Sequence, residues 1–495
     1  MADPSTATAA PPPEPAEPRT TIMDSPAEAA EIYWYSEQAA LFISTIKWAV
    51  LGAVAGLCVG LGTKAFLMAL SWSTRETALI PLHGFRYYDL LPIAMPLCVW
   101  LIRTFAPTAR GHGTEAVITA VHTRNGRIDL LVAPIKLVAT LLTLAFGGSV
   151  GKEGPCAQIG ASITSAFADI LRLSDSDRRR LVICGIGAGF AAVFGTPISG
   201  ALFGIEVLYI GRIEYSVLLP CVIAGVISHL VCGVSAPIPA THGHILQMPD
   251  FQLIMLVLAF GIICGLVARL MIWVMHLVHM GASKFESHPY LVAAVGGIAL
   301  AILYHTCGGM YAGLGVPTIE SAMSGATNIF FAAFAIKIVA TSVTLETGGS
   351  GGIVTPLFFI GSTMGATLAA HLHLPTAPFA AFGFVAIVAA AANTPIAASV
   401  MGLELLPPGL GVYAALCAVT AYLIVGHRSV YPSQKLGFSK SAGLSMPLDV
   451  TLAQIHTSDV HLQPGSMAEK LHQVANKPLL RRRATTGQRH KKKDG

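Results

Sequence analysis

The sequence predicts an all-α polytopic membrane protein, built from two related halves with broken and re-entrant helices. Three observations carry that prediction. Of 495 residues, 54% are hydrophobic and only 12% are charged, about half the charged share of a soluble domain; the mean hydropathy is +0.65. Apolar runs recur from Leu41 to Val425, LFISTIKWAVLGAVAGLCVGLG and FQLIMLVLAFGIICGLVARLMIWVM among them. Each supplies the roughly 20 residues of a bilayer-crossing helix. The third observation is that the apolar region is written twice.

IKLVATLLTLAFGGSVGKEGP (135–155) aligns with IKIVATSVTLETGGSGGIVTP (336–356) at an offset of 201, with 12 of 21 positions identical. GTPISGALFGIEVL (195–208) matches NTPIAASVMGLELL (393–406), and GHGTEAVI (111–118) precedes the first set as GLGVPTIE (313–320) precedes the second. Three blocks in one order at nearly constant offset indicate an internal duplication. Parallel or inverted halves depend on whether each holds an even or odd number of spans, which hydropathy leaves open. Halves interrupted by Gly and Pro in corresponding places point to a transport site between them.

In chain order, the first 30 residues are rich in Ala, Pro and acidic groups and lack a basic start followed by an apolar core. Residues 1–35 are therefore expected to be a disordered tail rather than a signal peptide. The membrane domain is expected over 36–431, with a first repeat at about 90–235 and a second at about 290–431. Residues 432–495 are polar and end in RRRATTGQRHKKKDG. That basic end is expected on the cytoplasmic side, either against anionic headgroups or simply solvated. Nine cysteines show no CxxC or metal-type spacing and mostly sit in apolar runs, where a thiol behaves as a small hydrophobe. No metal or cofactor is expected.

The loop GGSVGKEGP (147–155) and its copy GGSGGIVTP (348–356) carry the chemistry. Glycine lets backbone N–H groups approach a ligand, and Pro155 suits the first turn of a helix. A helix start inside the membrane presents unpaired donors and the positive end of the helix dipole, which suits an anion. Close helix packing through glycine is the plainer reading. Glu153 adds a carboxylate at membrane depth, where such groups are costly and functional. Beside an anion site it can occupy that site as a tethered anion and leave when protonated. Val354 stands at the matching place, so only one copy carries the gate. Lys152 either adds positive potential or snorkels.

Glu206 and Glu404 share one place in the TPI blocks; their symmetry favours a structural role at a helix end over ion handling. Tyr431, after the last apolar span, reads on its own as an interfacial anchor. Both loops fit G-x-S-x-G, yet nothing here supplies the strand–turn–helix setting of a hydrolase. A phosphate loop fails at Phe146 and Glu153, and no HExxH occurs.

GKEGP at 151–155, GGI-x-x-P at 351–356, a TPI–Glu helix in each half and the late tyrosine together resemble the CLC family of chloride channels and anion/proton exchangers. The likeness runs in order over about 100–435. The resemblance implies an inverted repeat and a homodimer in the plasma membrane with cytoplasmic termini. Chloride or a related small anion is the implied substrate, and no nucleic-acid partner is expected. It implies that Glu153 is the external gating glutamate. By the same resemblance, the Ile353 and Val354 amides with the Tyr431 hydroxyl are expected to hold a central anion, and amides around Lys152–Gly154 and Thr355 to line an outer site.

Several positions depart from the family pattern. GHGTE stands where GSGIP is usual, so His112 takes the place of an anion-contacting serine. Val354 stands where Phe is common. Val207 falls at the relay glutamate of the exchangers. A hydrophobic residue there is typical of channels, so passive conduction gated by Glu153 is the leading expectation. Anion/proton exchange, with Glu206 as the inner proton acceptor, is the alternative. The 64 residues after Tyr431 are too few for paired cytosolic regulatory domains.

Overall fold

The computed structural model describes residues 26–79, 85–234, 249–455 and 457–470. A long helix, α1 (Pro26–Leu79), leads into α2 (Leu91–Phe105), α3 (Thr114–Thr123), α4 (Val132–Ala145), α5 (Glu153–Ile170), α6 (Asp175–Phe194), α7 (Pro197–Glu206) and α8 (Leu218–Cys232). After α9 (Asp250–Ser283) come α10 (Pro289–Cys307), α11 (Val316–Met323), α12 (Ala333–Glu346), α13 (Val354–His371), α14 (Thr376–Ala391), α15 (Pro395–Leu405) and α16 (Leu410–Val425). Helices α2–α8 correspond in order to α10–α16, so each half is an odd set. α1 starts at Pro26, inside the stretch expected as a tail. Residues 1–25 and the basic end lie outside the described residues. By contact pattern, the described residues from Ala49 onward form one compact unit and those before it another.

Five helical stretches among the described residues are long and apolar enough to cross a bilayer: Ser36–Thr77, Tyr87–Phe105, Tyr215–Cys232, Asp250–Ser283 and Pro289–Cys307. Several others are apolar but shorter, Val132–Ala145 and Pro395–Leu405 among them. These are the broken and re-entrant pieces, tolerated at membrane depth because protein covers them. Proline in the first turn opens α2, α7, α10, α11 and α15, where its missing N–H costs nothing. Left-handed glycines close α6 and α8, Gly195 at φ 73° and Gly233 at φ 69°, a conformation glycine adopts without strain.

The two halves also pack alike. A Cβ added to Gly160 would lie 2.4 Å from the Gly185 carbonyl oxygen, and one on Gly361 would lie 2.1 Å from that of Gly383. So α5 meets α6, and α13 meets α14, with backbones in direct contact. Without a hydrophobic driving force between helices in lipid, such close approach supplies the association. The Gly52, Gly56 and Gly60 stripe on α1 packs in the same way on Pro220, Ala224 and Ser228 of α8. α14 is buried along nearly its whole length, as befits a helix apolar all round.

The chain beyond Tyr431, expected as a polar tail, is tied down where it is described. Strand β1 (Tyr209–Ile210) pairs in parallel with β2 (Lys435–Leu436), and β3 (Leu444–Ser445) pairs antiparallel with β4 (His461–Leu462). The Gln434 amide donates to the carbonyls of Val207 and Ala392, at 2.8 Å each. These bonds satisfy backbone groups at the ends of α7 and α14 that no helix would satisfy.

Candidate functional site

The glycine loops join the halves. Each turns back on its helix at a glycine with positive φ, Gly147 (90°) and Gly348 (121°), which side chains adopt only under strain. The loops then run antiparallel, with Gly151 and Gly352 exchanging both N–H···O=C bonds at 2.6 Å. Hydroxyls complete the seam in matched pairs. Ser149 N–H donates to Thr344 Oγ1 at 3.1 Å, and Ser350 N–H donates to Thr143 Oγ1 at 3.0 Å. Ser149 and Thr341 hydroxyls meet at 3.0 Å, as those of Thr140 and Ser350 do at 3.4 Å. Every residue of this seam has its repeat partner across it. Antiparallel, reciprocal pairing of duplicated segments is the local signature of the inverted repeat.

The seam places two helix starts together. Glu153 opens α5 and is fully buried. Its carboxylate crosses to the other half: Oε2 accepts the Thr355 N–H at 3.0 Å, and the Thr355 hydroxyl lies 2.5 Å from Oε1 and 2.6 Å from Oε2. Thr355 is in the first turn of α13. Glu153 thus takes up an orphan donor at a helix N-terminus, where the dipole favours negative charge. A mobile anion needs the same donors. Ile353 and Val354 are fully buried beside it. Lys152, half-buried, immediately precedes α5.

Gly154 is buried, and a Cβ there would stand 2.1 Å from the His112 carbonyl oxygen; only glycine lets the α3 entry loop lie against α5. The His112 ring approaches the other half. Its Nε2 lies 3.7 Å from Glu346 Oε1, and its Nδ1 is buried without a hydrogen-bond partner among the described residues. Tyr431 is 1% exposed, so the interfacial-anchor reading fails: the 429–434 turn folds inward. Its N–H donates to Ser429 Oγ at 3.0 Å, and Ser429 in turn donates to Gln434 at 2.6 Å.

Glu206 is committed to α15, accepting the N–H groups of Ile396 at 3.0 Å and Ala397 at 2.7 Å. Glu404 does the same for α7, through Ile198 at 3.0 Å and Ser199 at 2.9 Å. The structural reading of this pair describes the contacts. Val207 is fully buried.

Two lysines escaped the sequence reading. Lys136 Nζ donates to the carbonyls of Ala109 (3.1 Å) and Gly111 (2.6 Å), and Lys337 Nζ to those of Tyr311 (3.0 Å) and Gly313 (2.8 Å). Both are fully buried, and each fixes the loop that enters the short second helix of its half, α3 or α11. The signal was present in the repeated Ile-Lys of the aligned blocks. Thr355 was expected for its amide alone, whereas its hydroxyl makes the shorter contacts. No cluster arranged to hold a metal occurs among the described residues.

Residues 94–426 match the family model described as voltage gated chloride channel. The chain belongs to the CLC family. A chloride/fluoride channel protein of Pseudomonas syringae pv. tomato is 35% identical over 445 residues, 88% of this chain and 96% of that one. A solved CLC-type fluoride/proton antiporter superposes with a TM-score of 0.73 at 28% identity, covering 79% of this chain and 98% of its own. A slow cyanobacterial Cl−/H+ antiporter shares the fold, with a TM-score of 0.66 and 23% identity over 76% of this chain and 94% of its own. This CLC chain is therefore an anion-transport protein of the membrane and not an enzyme.

Proposed function

We propose that the chain exchanges a small halide for protons, with Glu153 as both gate and proton carrier. The observation that carries this is the Glu153 carboxylate held on the Thr355 amide and hydroxyl at the start of α13. Ionised, it fills the donors that a halide requires. Protonated, it loses the charge that binds it there and frees them. Halide entry and proton uptake at Glu153 are thereby linked by competition for one set of donors. The fluoride/proton antiporter and the chloride/fluoride relative support fluoride or chloride as the ion. Fluoride, the stronger hydrogen-bond acceptor, suits a site that offers a hydroxyl beside amides. A homodimer in the plasma membrane with both termini cytoplasmic belongs to the same proposal and follows the family resemblance.

Passive conduction gated by Glu153 is the second reading, and Val207 favours it because a valine carries no proton. Purified protein in liposomes under an imposed fluoride or chloride gradient separates the two. Proton uptake against its own gradient, in fixed ratio to halide, supports exchange. Halide flux without proton movement establishes the channel, and no halide flux at all overturns both.

A further inference from the structure

Two acids break the repeat near the seam. Glu153 faces Val354 across the duplication, and Glu346 stands where the first half has Ala145. The gate uses the first. Glu346 ends α12, a position where the negative end of the helix dipole disfavours a carboxylate, so polar partners are needed to keep it there. It has two: His279 Nδ1 at 2.9 Å and His112 Nε2 at 3.7 Å.

These groups line a cavity of about 600 Å³ beside the seam, bounded by α9, α12, the Gly348–Gly349 loop and the 429–432 turn. Exposure falls along the trio, from 61% at the His279 side chain to 15% at Glu346 and 12% at His112. Two of its lining residues each carry a polar atom buried without a hydrogen-bond partner among the described residues, His112 Nδ1 and Glu115 Oε2. Buried polar atoms are rarely left unpaired, so an orphan pair calls for a polar guest. The His112 backbone lies directly on Gly154, the residue after Glu153. Arg103, Arg110, Glu115, His276 and Glu286 are the other charged or titratable groups facing the cavity.

We propose that His279, Glu346 and His112 form the port through which the transported proton enters toward Glu153, replacing the relay acid that Val207 cannot supply. The inference rests on the exchange reading. A proton held on the Glu346 carboxyl passes to the Nε2 lone pair of neutral His112, leaving carboxylate and imidazolium. The proton on Nδ1 then leaves toward the Glu153 carboxylate, and the ring returns to neutral in the other tautomer. Imidazole suits this because one nitrogen accepts while the other gives. Glu206 cannot serve equally, since both its oxygens accept helix N–H groups.

The test measures proton and halide flux together, in liposomes under a fluoride gradient, for wild type, Glu346→Gln, Glu346→Asp and His112→Gln. The port predicts a proton-to-halide ratio at least tenfold lower in Glu346→Gln and restored in Glu346→Asp. His112→Gln, measured in parallel, is expected to lower the ratio as strongly and covers the case in which Glu346→Gln does not fold. A wild-type ratio in Glu346→Gln or in His112→Gln overturns the port while exchange stands. Absence of proton movement in the wild type overturns the exchange reading and the port with it.

Discussion

Glu206 and Glu404 exchange helix ends: each carboxylate, in the last turn of its own helix, accepts two N–H groups from the first turn of the other's. Replacing either by Ala strands two amides and removes charge-assisted bonds, each worth about 1.5–3 kcal/mol. Both substitutions should therefore lower thermal stability in detergent, buried Glu206→Ala by roughly 2–4 kcal/mol after relaxation and exposed Glu404→Ala by less. Glu206→Gln should leave the proton-to-halide ratio intact. A ratio that collapses in Glu206→Gln but not in Glu404→Gln would make Glu206 a proton acceptor after all.

If Glu153 is the gate proposed above, the Thr355 hydroxyl is what holds it closed. Thr355→Val deletes a hydrogen bond to a charged acceptor, about 1.5–3 kcal/mol, so the closed population should fall roughly ten- to hundredfold. Halide flux at neutral pH should rise, and Thr355→Ser should behave as wild type. Glu153→Gln mimics the protonated gate; its flux should persist and lose most of its pH dependence. Flux assays from pH 5 to 8 check all three. Unchanged pH dependence in a folded Glu153→Gln protein would remove the gate.

Lys136 and Lys337 hold equivalent loops, but only the Lys136 loop carries His112 and lies against Gly154. Lys136→Met should weaken halide binding, measured calorimetrically, several-fold more than Lys337→Met does. Equal loss from the two would mean that they act only through general stability.

His427 lies beyond α16, where its Nε2 accepts the Lys440 N–H at 2.9 Å. Burial, and after it the Lys440 charge, push its imidazole below the ordinary value. The neutral ring is thus the folded form. Its contribution is full above the unfolded value of about 6.5 and fades as pH falls toward the depressed folded one. Hydrogen exchange should show the 426–440 segment less protected at pH 5 than at pH 7. Equal protection at both would show that this contact is not what anchors the segment.

Sequence reached the repeat, the loops and the helix-end contacts of the paired glutamates, because each is a local pattern written twice. It missed what depends on one copy meeting something distant. The motif gave no sign that the His112 ring lies 3.7 Å from Glu346, which belongs to the other half. Glu346 itself drew no notice because the duplication offers only Ala145 for comparison. Tyr431 looked like an anchor because its burial depends on a turn held by Ser429 and Gln434, partners that hydropathy does not register.

The Gly151–Gly352 bridge limits how such a protein can move. Its two bonds lie in an interior where no water replaces a broken one, and four hydroxyl contacts flank them. Prying the halves apart would open all six at once, at about 1–3 kcal/mol for each group left unpaired. Rocking one half against the other is thereby disfavoured, so on the exchange reading the outward- and inward-facing forms should differ by rotamers at Glu153 and its neighbours. Spin-label distances between the halves should then be the same with and without halide, while a shift of several ångströms would show that the bridge breaks in each cycle.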